Sequence, residues 1–116
     1  MTGLDTDYKT LYGFCNFGDY DSFTKYENID HISEECIYYL LKCMFYKCQD
    51  IEMWMCEDDN SDENTQNSFR SRIAGIEKCR DFLRNKFNID DVTYEIITMG
   101  NKIRQTYIDF CKEVKK

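Results

Sequence analysis

Seven cysteines, a single histidine and one acidic run are the residues of this chain whose types could do chemistry, and the spacing of each argues against catalysis. The cysteines stand at 15, 36, 43, 48, 56, 79 and 111. An odd number cannot all pair within one chain and no CxxC occurs, so neither a disulfide framework nor a zinc site is expected. Cys36 and Cys43 lie seven apart and Cys79 falls on an apolar helical face, which suits thiols acting as small core hydrophobes. His31 sits at the polar start of a helical segment and is expected at the surface. With no GxGxxG, GxSxG, P-loop or HExxH and no defensible pairing of nucleophile and base, the chain reads as a non-enzyme that needs no cofactor or metal.

The acidic run is EDDNSDENTQN, Glu57 to Asn67. Counted as a calcium loop from Asp58, it places Asn60 and Asp62 at ligand positions. Glu63 then stands where the loop needs Gly, and Phe69 where it needs a bidentate Glu. No apolar side chain in the run would perturb a carboxyl group for acid or base work. The run therefore reads as a solvated linker, 57–67, inside one domain spanning 1–116.

Arg72 is the remaining candidate, and it lies in the stretch that organises the chain, SFRSRIAGIEKCRDFLRNKF from Ser68 to Phe87. Phe69, Ile73, Ile76, Cys79 and Leu83 recur there at steps of four, three, three and four, the spacing of one helical face. Ala74 and Gly75 leave room for a neighbouring helix to come close, against a helix-propensity cost of about 1 kcal/mol for the glycine. This is the expected central helix.

Other elements follow from the same periodicity. Leu4, Tyr8, Leu11 and Tyr12 predict a first helix over about 4–15, followed by a turn-rich aromatic segment. Ile37, Leu40, Leu41, Met44, Cys48, Ile51 and Met55 predict one long helix, or two broken near Gln49-Asp50, capped by Asp30 or Ser33. Tyr38, Tyr39, Phe45, Tyr46, Met53 and Trp54 widen its apolar surface, so the region is either deeply buried or lines a groove. After a polar turn with Asp91 as cap, Val92, Ile96, Met99, Ile103, Thr106, Phe110 and Val114 predict a face that packs on the central helix, interrupted at Gly100-Asn101.

The chain has 116 residues, enough for one core, and no proline to interrupt long helices. A net charge of -7 is the wrong sign for nucleic acid or anionic lipid. No apolar run approaches a membrane span, and MTGLDTDYKT lacks a secretory signal, which reads as intracellular and soluble.

Arg72-Ile73-Ala74, with Phe69 three residues before, resembles the Asn-Trp-Gly-Arg element that opens the central helix of Bcl-2 proteins, with Ser71 where the family has Gly. Phe69 and Arg70 stand in place of the Asn and Trp. The run TYEIITMGNKIRQTYIDFCKEV resembles the helices that follow, with Thr106-Tyr107-Ile108 where cellular members carry Thr-Trp-Ile. The Asn, Asp, Ile, Tyr and Lys-rich composition of this short chain is similar to the compact virus-encoded branch, such as the poxviral Bcl-2-like proteins.

The resemblance implies an all-α, single-domain Bcl-2-like helical bundle around a central helix, acting in the host cytoplasm without catalysis by binding host proteins. Members grip a pro-apoptotic helix in a groove to suppress apoptosis, or block inflammatory signalling of the NF-kappa-B type, often as homodimers. A helix-gripping groove needs apolar pockets and a fixed cation for the ligand's acid. The expected groove residues are Tyr39, Met44, Phe69, Arg72, Ile73 and Ile76. Alternatively Arg72 pairs with Glu77 or Asp81 or is solvated, and the chain is a signalling inhibitor with no functional groove or a helical assembly protein.

Overall fold

The computed structural model describes residues 3–57, 62–99, 106, 108–110, 112 and 113, and those residues form helices and turns with no strand. In order they are α1 (Gly3–Asn16), α2 (Tyr20–Thr24), a 3₁₀ turn (Ile29–His31), α3 (Glu34–Glu57), α4 (Glu63–Lys86) and α5 (Asp91–Thr98). Beyond α5, Ile108 belongs to helical residues and is fully buried. No helix among the described residues is long and apolar enough to cross a membrane.

Helices α2 to α5 each start where a short polar side chain takes up a free amide. Asp19 accepts from the Ser22 amide, Ser33 Oγ from Cys36, Asp62 from Thr65 and Asp90 from Thr93. Two of these differ from expectation. The cap of α5 is Asp90, one residue before Asp91. Helix α4 begins at Glu63 instead of Ser68, so Glu63 to Asn67 are its first turns and not part of a linker. Those turns are polar all round, which hides them from a search for apolar period, yet Asp62 and Glu63 suit the positive end of a helix. Asn88, with φ of 54°, ends α4 in the left-handed conformation that asparagine tolerates, and the Ile89 amide turns back to the Arg84 carbonyl.

α3 runs unbroken through Gln49-Asp50 and occupies the centre. It buries Cys36, Ile37, Leu40, Leu41, Met44, Gln49 and Ile51 and packs against α1, α4 and α5. The expected centre, α4, buries only Ile76, Cys79 and Leu83. Phe69 and Ile73 continue that face but stay half-buried against the core. Leu11 and Cys15 of α1, Phe23 of α2, and Ile29 and Ile32 at the 3₁₀ turn join the same core. Polar ties cross it: Tyr26 donates to the buried Asp7 carboxylate at 2.5 Å, and the Tyr8 hydroxyl meets Cys43 Sγ at 2.8 Å.

Helix α5 reverses the expected orientation. Tyr94, Ile97 and Thr98 face inward, while Val92, Ile96 and Met99 are 67%, 63% and 59% exposed. α5 rests on α3 through the edge-to-face pair Phe45–Tyr94, and is tied to α4 by Arg84, which bonds Asp91 and covers the Tyr94 ring. Tyr94 lies two residues from both Val92 and Ile96, on the opposite side of the helix from the Val92-Ile96-Met99 stripe. Its large ring, anchored by an arginine from α4, sets which side of the helix is buried.

Candidate functional site

The six expected groove residues do not meet in one groove. Met44 and Ile76 are core residues, 2% and 1% exposed, and face a small space of about 100 Å³ between α3, α4 and Tyr94. Phe69 packs its ring near Trp54 at the other end of α3, with centroids 6.4 Å apart. Ile73 is half-buried against the core, and Tyr39 stands more than half exposed on the far side of α3, beside Tyr8.

Arg72 is already employed. Its Nε donates to the Asn16 carbonyl at 2.6 Å and Nη2 donates to Asn16 Oδ1 at 3.2 Å, while the guanidinium sits over the Phe17 ring. Asn16 closes α1, so the cation occupies the negative end of that helix and satisfies one of its free carbonyls. The acids expected as its partners, Glu77 and Asp81, pair with Arg80 instead.

Below Arg72, a Cβ added to Gly75 would lie 2.3 Å from the Gly18 carbonyl oxygen. Gly18 has φ of +74°, and its own Cβ would press on the Arg72 backbone at 3.0 Å. The small residue of α4 therefore admits the turn between α1 and α2, not a neighbouring helix.

Cys15, Cys36, Cys48 and Cys79 are held as thiols. Burial pushes Cys36 up to about 11 and Cys48 and Cys79 to about 12, and raises Cys15 further. Thiols so raised supply little of the thiolate that nucleophilic or metal-binding work needs. Among the described residues no three His, Cys, Asp or Glu side chains converge on a possible metal.

What the structure does present is an apolar face made by α5 and the first half of α3. A groove of about 550 Å³ lies between Tyr38, Tyr39 and Lys42 on one side and Thr93, Ile96 and Ile97 on the other. A second recess of about 340 Å³ adjoins it, sharing Tyr38 and Thr93 and reaching Phe87 and Ile89. Tyr38 stands between them, its hydroxyl donating to Glu34 Oε1 at 3.0 Å, and that bond raises the phenol's pKa. Val92, Ile96 and Met99 form a ridge along the groove's edge. Lys42 is exposed at the margin and forms no ion pair among the described residues.

An exposed, contiguous apolar surface with a polar rim marks an interaction surface or a ligand groove. Of the expected groove residues only Tyr39 belongs to it. The signal that could have found the rest is that Val92, Tyr94, Ile96, Ile97 and Met99 go most of the way round one short helix, more than a single contact can cover. The fold and face together define a helical bundle with one exposed apolar face. Comparison with protein-family models, curated sequences and solved structures returns no match.

Proposed function

We propose that this chain is a non-enzymatic, virus-encoded Bcl-2-like modulator of host cells, which acts by binding host proteins through the face formed by α3 and α5. The observation that carries the reading is the exposed ridge Val92, Ile96 and Met99 beside the Tyr38–Tyr39 groove. Apolar surface of that extent is retained against its solvation cost when a partner covers it. The Bcl-2-like fold rests on the motifs around Arg72 and Thr106-Tyr107-Ile108, and the viral origin on the Asn, Asp, Ile, Tyr and Lys-rich composition.

Of the two modes open to such a protein, inhibition of inflammatory signalling is favoured over capture of a pro-apoptotic helix. The favouring observation is Arg72, whose guanidinium holds the end of α1 and is not offered to a ligand's acid. The test uses immobilised parent and Ile96→Asp in host-cell lysate, beside calorimetric titration with a pro-apoptotic helix peptide. A signalling protein held by the parent and lost by Ile96→Asp, with no peptide binding, is the expected result. A peptide bound by the parent and released by Arg72→Ala would establish the groove mode instead, and host proteins held equally by Ile96→Asp would remove the face from the account.

A further inference from the structure

On its inner side, away from the ridge, α5 closes the small space of about 100 Å³ between α3 and α4. Its walls are mixed. Met44, Phe45 and Ile76 make an apolar side, while Gln49, Glu52, Glu77, Arg80 and Tyr94 bring polar groups to the rest. The Tyr94 ring is fixed by the edge of Phe45 at 6.2 Å and by the Arg84 guanidinium at 4.5 Å. Its hydroxyl is buried and makes no hydrogen bond among the described residues. A buried hydroxyl in that state is costly, and a polar space beside it lets a guest supply the missing partner. Burial raises the Tyr94 pKa against the opposing charge of Arg80, so the group is a neutral donor.

The charges on the wall are already matched. Arg80 pairs with Glu77 and Asp81, and Glu52 pairs with Lys112. An anion would face Glu52 and Glu77, and a cation would have to displace Arg80 or Lys112 from them. A neutral guest does neither. A cavity of about 150 Å³ takes benzene, so this space suits a molecule of about four non-hydrogen atoms. Glu77 and Arg80 are partly exposed, which leaves a route in from solvent.

We propose that this space binds a small neutral carboxamide. The guest's carbonyl accepts from the Tyr94 hydroxyl, its N–H groups donate to Glu77 or Glu52, and its alkyl end rests on Met44, Phe45 and Ile76. A carboxamide fits better than an alcohol because the wall holds a donor on one side and carboxylate acceptors on another. The site is independent of the partner-binding face, since α5 turns its ridge the other way.

NMR titration of the full chain with acetamide, acetate and acetamidinium, three molecules of nearly one shape that differ in charge, tests the proposal. Acetamide should shift the methyl signals of Met44 and Ile76 and the ring signals of Tyr94 together, saturating at millimolar concentration as befits so small a ligand. Acetate and acetamidinium should bind at least about tenfold more weakly, because each must be desolvated against a charge of its own sign. Tyr94→Phe, checked for parental circular dichroism, should weaken acetamide about three- to tenfold, the worth of one hydrogen bond. Cys48→Leu, which fills the space from the α3 side, should abolish binding.

The charge series uses the parent chain alone, so it decides the matter even if a variant fails to fold. No saturable shift with acetamide, charged molecules that bind as well as the neutral one, or a Tyr94→Phe chain that binds as the parent does would each overturn the inference. Shifts that persist in Cys48→Leu would do the same by placing the guest elsewhere.

Discussion

The junction at Arg72 and the outer face of α5 make an instructive pair, because in the sequence both are apolar helical stretches beside polar residues and in the structure they have opposite fates. At Arg72 the helix is met by backbone: Gly18 lies on Gly75, and the guanidinium closes the end of α1. On α5 the ridge of Val92, Ile96 and Met99 meets solvent, though its period is as regular as that of the core face of α4. Period alone says that a helix has an apolar side. Which side is covered depends on partners from elsewhere in the chain, an arginine and a glycine turn in one case, Tyr94 and Phe45 in the other.

The largest effect separates core from junction. Ile76 is buried and Ile73 only half so, hence Ile76→Ala should destabilise by about 2 to 5 kcal/mol and Ile73→Ala by clearly less. Denaturant titration of the two decides it, and equal losses would mean that α4 sits deeper than described.

Gly75→Ala sharpens the contrast by its sign. In an open helix the change should stabilise by about 1 kcal/mol. Here the new methyl would meet the Gly18 backbone, and overpacking of that kind costs about 1 to 3 kcal/mol, so a net loss is expected. A higher melting temperature would show the junction to be loose.

Arg72→Ala should follow, with a loss of about 1 to 3 kcal/mol from two charge-assisted hydrogen bonds to a half-buried arginine. Arg72→Lys, which keeps the charge and loses the fork, should recover only part of it.

The smallest effect is on acid stability. The Thr65 amide lowers the Asp62 pKa and the Thr93 amide that of Asp90, while Lys86 does the same for Asp30. Groups lowered on folding contribute stability that is complete above the unfolded carboxylate value, about pH 4, and is lost as pH falls through the lower folded values. Asp62→Asn and Asp90→Asn keep a capping side chain without a titrating one. Melts of those variants should therefore fall less steeply below pH 4 than the parent's.

The helical character, the apolar faces of the first three long helices and the burial of Cys36 and Cys79 were legible in the sequence, because each follows from period and side-chain size, whereas Cys43, expected in the core with them, is only half-buried. The start of α4 was not, since its first turns carry no apolar residue. Nor was the employment of Arg72, since Asn16 lies 56 residues away in sequence and no local pattern joins them. The exposed aromatics Tyr38, Tyr39 and Trp54 were legible in kind, because too few polar residues accompany them to cover a solvent face. Their partner on α5 was hidden by an assumption that the more regular stripe is the buried one. The Gly100-Asn101 interruption falls outside the described residues.

Thermal melts of Arg72→Ala and Ile96→Asp, run side by side in dilute solution, test the central contrast most directly. If the Arg72 junction holds the fold and the α5 ridge is a surface held for a partner, Arg72→Ala should melt several degrees below the parent and Ile96→Asp within about a degree of it. The reverse order, with Arg72→Ala unchanged and Ile96→Asp strongly destabilised, would place the ridge in the core, leave the arginine for a ligand, and contradict the account.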